Sequence, residues 1–190
     1  MQKTTFFSGL ALASTLLLAA LPAQAQQLVP AQSSVEFTAK QMGVPLQGHF
    51  KKFDAQVAFD PAQLAASRIR FTVDTGSATM GARETDAELP KAPWFNVPQF
   101  PQATFESTAI KALGGGKFDV AGKLTIKGTS VNVSVPVALT QSGSTTTATG
   151  VLPIKRLAFK IGDGEWADTS MVADEVQVKF KLALTGVGKL

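Results

Sequence analysis

One histidine, no cysteine and no tyrosine stand among 190 residues, so the side chains able to make or break a covalent bond are few. Nucleophilic and general acid–base catalysis need a nucleophile within reach of a base in a tuned environment. His49, the single imidazole, sits beside Phe50 and Lys51, and the positions of opposite parity on its strand are the apolar ones, which places it on the surface. A metal centre fares worse, since no second histidine or cysteine is present and Asp163 with Glu165 make at best a weak oxygen site on a solvated turn. The expectation is a protein that is no enzyme, with no catalytic residue, no metal and no required cofactor. Arg83, Glu84, Asp86 and Glu88 follow helical spacing, with Arg83 and Asp86 neighbours three apart. They read either as a solvated helix or as a helix that presents the planar guanidinium to a ligand.

Apolar residues at strand spacing are abundant, and they must be held by the elements around them. The clearest runs over 118–139, where Val120, Gly122, Leu124 and Ile126 share one face of an arm and Val131, Val133, Val135, Val137 and Leu139 share one face of the next. Lys127-Gly128-Thr129 breaks the two arms, which predicts a hairpin. Similar alternation marks strands at 34–40, 47–60, 67–74, 104–113, 146–159 and 174–186, the one over 146–159 interrupted or bulged at Pro153. Gly43-Val44-Pro45 predicts a turn, and Asp60-Pro61 a short helical turn over 62–66. Two excursions break the rhythm. Residues 75–100 carry helix formers over 82–89, after which Pro90, Pro93, Pro98 and the following Pro101 exclude a central strand, and residues 162–173 carry Trp166.

About eight antiparallel strands with helices confined to the excursions predict a β-barrel or two-sheet sandwich, and continuous up-and-down turns favour closure because a closed meander leaves no edge to aggregate. Phe37, Phe53, Phe59, Phe71, Leu124, Val133, Val135, Val178 and Phe180 face inward. So many aromatic and branched side chains exclude a wet channel and leave dry packing or an apolar pocket as alternatives. Trp94 and Trp166 serve either as gates or as ordinary core anchors.

Lys3, the apolar run 10–21 and Ala23-Gln24-Ala25 form an export leader, 1–25, with cleavage expected after Ala25 and a single domain over 26–190. No later segment approaches the roughly 20 apolar residues that a membrane-spanning helix needs. An oxidising compartment permits disulfides, yet the chain has no cysteine, so packing and the strand ladder must supply its stability. The net charge of +4 comes from lysines and arginines dispersed singly or in pairs. That argues against nucleic acid, which calls for a clustered basic stripe.

Several motifs, taken in order, resemble one family. They are Ser34-Val35-Glu36-Phe37; Gly48-His49-Phe50 followed by Phe59-Asp60-Pro61; Arg83-Glu84-Thr85-Asp86 ahead of Leu89; Trp94-Phe95-Asn96-Val97 leading to Phe100-Pro101 and Phe105-Glu106-Ser107; 120–128; and Ile161-Gly162-Asp163-Gly164-Glu165-Trp166. The sequence is identified as a member of the YceI-like proteins, exported lipocalin-like barrels whose characterised members hold a polyisoprenoid chain or quinone tail. It departs from the family after Arg156, where Leu157-Ala158-Phe159 stands in place of an aspartate, phenylalanine and glycine run.

The resemblance implies an eight-stranded antiparallel lipocalin-like barrel in the periplasm that binds an isoprenoid lipid, ubiquinone-like or polyprenyl phosphate, for transport, storage or sequestration. It implies transient contact with a membrane as well, and leaves the oligomeric state open, a homodimer included. The ligand-binding residues it implies are the nine inward apolar residues with Trp94 and Trp166, together with Arg83 on a helix that closes one end and meets the headgroup. Residues 75–100 would be the gate. The alternative is a packed β-domain acting as an interaction or stress-response module without lipid.

Overall fold

Period two in the sequence becomes antiparallel pairing in space. A computed structural model describes residues 26–190, so the expected leader, 1–25, lies outside the described residues. The strands are β1 (Gln27–Leu28), β2 (Ser34–Gln41), β3 (Val44–Phe50), β4 (Phe53–Ala58), β5 (Arg68–Asp74) and β6 (Ala78–Thr79). The helix α1 (Arg83–Glu88) follows, and then β7 (Gln102–Gly114), β8 (Lys117–Ile126), β9 (Thr129–Ser142), β10 (Thr145–Lys155) and β11 (Glu175–Thr185). They form one sheet in the order β4-β5-β7-β8-β9-β10-β11-β2-β3-β6, with β1 paired to β11.

The sheet curls on itself. Leu28 pairs with Leu184 on β11 while Gln26 bridges to Val57 on β4, which links the two sides of the roll. The Gln26 side chain reinforces that seam, because its Nε2 donates to the Phe59 carbonyl at 2.6 Å and its Oε1 accepts the Phe59 N–H at 2.9 Å. This is the all-β, lipocalin-like barrel expected.

The strand count differs. Among the described residues eleven strands replace eight, since the run read as one strand over 47–60 breaks at Lys51 and Lys52 into β3 and β4, and the two-residue strands β1 and β6 are added. At the break the Lys51 N–H donates to the Ser77 carbonyl (3.2 Å) and the Lys52 N–H to Ser77 Oγ (3.0 Å), so the residues around β6 interrupt the ladder. Residues 62–66 form successive turns rather than a helical turn; Asp60 still caps them, accepting from the Ala62 N–H at 2.8 Å. Pro153 interrupts nothing. Pairing between β10 and β9 ends at Gly150–Val137, and Pro153 lies beyond it with β11 as its sheet neighbour.

The β8–β9 hairpin closes in two residues, Lys127 (φ 46°) and Gly128 (φ 73°), both in the left-handed region that tight hairpin turns require. The β2–β3 hairpin turns likewise through Met42 and Gly43. The segments that contain the two excursions, 75–101 between β5 and β7 and 156–174 between β10 and β11, gather with these turns at one end of the barrel. The opposite end is packed shut: Phe59 meets Phe118 edge to face at 5.3 Å, in a cluster with Ile110, Val120 and Val135. Among the described residues no helix is long and apolar enough to cross a membrane.

A lidded apolar cavity

Between the packed end and the excursions lies a cavity of about 570 Å³, inside the range of roughly 300–1,000 Å³ typical of small-ligand sites. Its existence decides between the two readings of the inward face, since the interior is not packed solid. The wall is built by a recurrent device. A β-carbon placed on Gly48 would lie 2.2 Å from Phe37 Cζ, one on Gly122 2.4 Å from Phe105 Cζ, and one on Gly150 2.4 Å from Phe180 Cζ. Each phenylalanine therefore lies over a glycine on the neighbouring strand, and all three rings line the cavity. Glycine lets the ring settle against the sheet, where any larger residue would force it inward. Gly48→Val is expected to displace Phe37 and cost about 1–3 kcal/mol by overpacking. A thermal midpoint equal to the parent's would show that the ring is not confined.

Of the twelve residues expected to bind ligand, the cavity brings together Phe37, Phe59, Phe71, Trp94, Leu124, Val135, Trp166, Val178 and Phe180. Three lie outside its lining. Phe53 stacks on Phe71 at 5.9 Å but does not reach the wall. Val133 is half-buried opposite Gly122, where the Phe105 ring supplies the wall in its place. Arg83 is exposed and does not line the cavity; the groups that α1 presents there are Glu84, Thr85 and Glu88. Helical geometry accounts for part of this: Leu89 is buried and lines the cavity, and Thr85, four residues before it, shares its face, whereas Arg83, six before it, does not.

Three of the lining residues are exposed, namely Lys40, Glu84 and Glu88. They locate the mouth between the end of β2 and α1. Of the excursion 75–100, expected to be the gate, it is α1 that stands at this mouth, clasped to β6: Asp86 accepts from the Thr79 hydroxyl at 2.5 Å and from the Met80 N–H at 2.6 Å. Those two bonds, the backbone one first, hold the Asp86 carboxyl below the usual carboxylate range. Under the helix, Phe37, Phe50 and Phe95 form an aromatic series with centroid separations of 5.3 and 6.0 Å.

Trp94 and Trp166 act together. Their rings lie 5.6 Å apart, joining the two excursions into one lid over the cavity. Two cations secure that lid, and neither stood among the expected site residues. Lys127, in the hairpin turn and 9% exposed, donates through Nζ to the carbonyls of Lys160 (2.6 Å) and Pro93 (3.2 Å) and to the Asp163 carboxylate (3.4 Å). Arg156, 2% exposed, spends its guanidinium on five carbonyls. Nε donates to Ala173 at 3.1 Å, Nη1 to Ile161 and Gly162 at 2.9 and 2.6 Å, and Nη2 to Trp166 and Val172, both at 2.7 Å. Burial pulls the Arg156 pKa down from its ordinary value, while Asp174 nearby raises it. The sequence offered only a faint signal: Lys127 stands between Ile126 and Gly128 and Arg156 between Lys155 and Leu157, so neither cation has an acidic residue beside it in the chain.

The wall holds few reactive groups. Thr146 accepts from Gln141 Nε2 at 3.1 Å, Arg156 has its donors engaged, and His49 is exposed outside the cavity. No group of three or more potential metal ligands occurs among the described residues.

Residues 26–184 match the family model described as YceI-like domain. UPF0312 protein VPA0850 of Vibrio parahaemolyticus is 30% identical over 149 residues, which covers 76% of this chain and 77% of that protein. Among solved structures, Burkholderia cenocepacia BcnA superposes with a TM-score of 0.79 at 51% identity, covering 82% of this chain and 98% of that one. A polyisoprenoid binding domain from Saccharophagus degradans, implicated in plant cell wall breakdown, superposes with a TM-score of 0.66 at 16% identity, covering 85% and 98% of the two chains, a likeness of fold.

Proposed function

The chain belongs to the YceI-like family, and from that premise we propose that it holds the apolar chain of an isoprenoid lipid in the cavity under its tryptophan lid, without covalent chemistry. The carrying observation is the cavity itself. It is lined almost wholly by apolar side chains, sealed at one end by the Phe59–Phe118 cluster, and has its three exposed lining residues together at the other. Such a container favours a long hydrocarbon with a polar end: each Å² of apolar surface removed from water contributes about 25 cal/mol, and the headgroup stays at the mouth beside Lys40, Glu84 and Glu88. The polyisoprenoid-binding name carried by a fold neighbour supports the same ligand class. We further propose that the protein works after export, as a carrier or store that keeps such a lipid from water. Quinones fit this description, as do polyprenyl phosphates.

Native mass spectrometry of protein purified without detergent tests the reading. The expected result is added mass that organic extraction recovers as prenyl lipid, or stoichiometric uptake of added ubiquinone by the empty protein. A bare mass with no uptake would overturn it.

A further inference from the structure

The rim of the mouth carries side chains that the cavity does not use. Met42 and Val44, at the β2–β3 tip, are 65% and 60% exposed, and Met171, in the second excursion, is 42% exposed. They belong to one surface, because the Met42 N–H donates to the Met171 carbonyl at 2.8 Å and the Ala173 N–H to the Lys40 carbonyl at 2.9 Å. The surface is continuous with the site: Gln41 forms a bridge to Val172, and both line the cavity, each one residue away from an exposed methionine. Large apolar side chains scattered singly need no explanation, but three tied together beside an apolar opening do.

We propose that this rim is a lipid-docking edge, by which the protein seats its mouth on a bilayer surface and passes its ligand between membrane and cavity without exposing it to water. The occupant is a lipid surface rather than a second protein for two reasons. The residues sit on protruding tips, the hairpin being exposed from Met42 through Pro45, where a protein partner would need a broad surface with central anchors. The ligand class of the cavity is itself membrane-resident. Lys40, two residues before Met42, can keep its ammonium among headgroups while its stem lies along the apolar tip. Across the mouth Glu84 and Glu88 offer no attraction to an anionic bilayer. Docking is therefore apolar insertion and should resist salt.

The inference rests on the cavity reading only for its cargo, so the decisive measurement omits cargo. The purified protein is sedimented with vesicles of phosphatidylethanolamine and phosphatidylglycerol, at low salt and at about 0.5 M salt, where exposed charges are screened within a few ångströms. The expected result is binding that persists in salt. The triple variant Met42→Glu, Val44→Glu, Met171→Glu should lower the bound fraction on the order of tenfold, and the milder pair Met42→Gln, Val44→Thr should lower it in part with an unchanged melting curve. The triple variant should also slow ubiquinone transfer from vesicles while still taking up ubiquinone from detergent micelles. A parent protein that stays in the supernatant, binding lost in salt, or a folded pair that sediments like the parent would each overturn the docking edge. Failure of micelle uptake by the parent would instead overturn the cavity reading, and sedimentation would still decide the rim.

Discussion

Arg156→Met is expected to release the lid and take the barrel with it. Methionine approximates the length of the stem but leaves five carbonyls, on Ile161, Gly162, Trp166, Val172 and Ala173, without their donors. An orphaned buried acceptor costs about 1–3 kcal/mol, so even if water reaches some of them the total exceeds about 4 kcal/mol, the level reached only by the most damaging single changes. Against a total stability of about 5–15 kcal/mol for a domain, that loss should move the urea midpoint severely or prevent folding. Arg156→Lys should fall between, because an ammonium keeps the charge but has three donors for five acceptors. The order parent, lysine, methionine in urea midpoint is the expected outcome. A methionine variant as stable as the parent would mean that the excursion holds its shape without the guanidinium.

The barrel was legible because its signal is local. From Phe118 to Leu139 each residue's side of the sheet follows from parity, and the register Val120–Val135 and Leu124–Val131 places on one face the residues that alternation grouped. The parts that were not legible depend on groups distant in sequence. Nothing within 47–60 shows that Ser77 will bond to the chain at Lys51 and Lys52, so one long strand was read where two exist. Arg156 looked like a family landmark rather than a clamp, since its acceptors lie up to 17 residues away on a loop with no periodicity. The rings of Phe37 and Phe180 were readable as inward; that each, like Phe105, rests on a glycine, and so leaves the middle open, depends on register.

The placement of Arg83 outside the cavity lining has a different origin. Arg83 was assigned to the headgroup through the family motif, whereas the helix phase set by Leu89 already favoured Thr85. A single apolar residue at the end of a six-residue helix is a faint moment to read, but it is the one that packing obeys.

If the cavity binds a long apolar chain that enters beside α1, Ala39→Trp should abolish uptake while sparing the fold. Ala39 lies on the cavity wall in β2 between Phe37 and Gln41, paired with Leu46, just inside the three exposed mouth residues. It is only half-buried, so the indole has open volume to enter rather than a filled core to displace. Overpacking a filled site costs about 1–3 kcal/mol, and here the cost should lie at or below the lower end. A chain threaded past this point loses its path, and even partial obstruction removes burial along the deeper wall, so affinity for ubiquinone should fall by about a hundredfold or more. Thermal melting and ubiquinone titration from micelles separate the two effects. A stable variant with undiminished binding would show that the ligand enters and sits elsewhere. A large drop in stability would show that the space beside Ala39 is already occupied by protein, and the mouth would then have to be sought between α1 and the tryptophan pair.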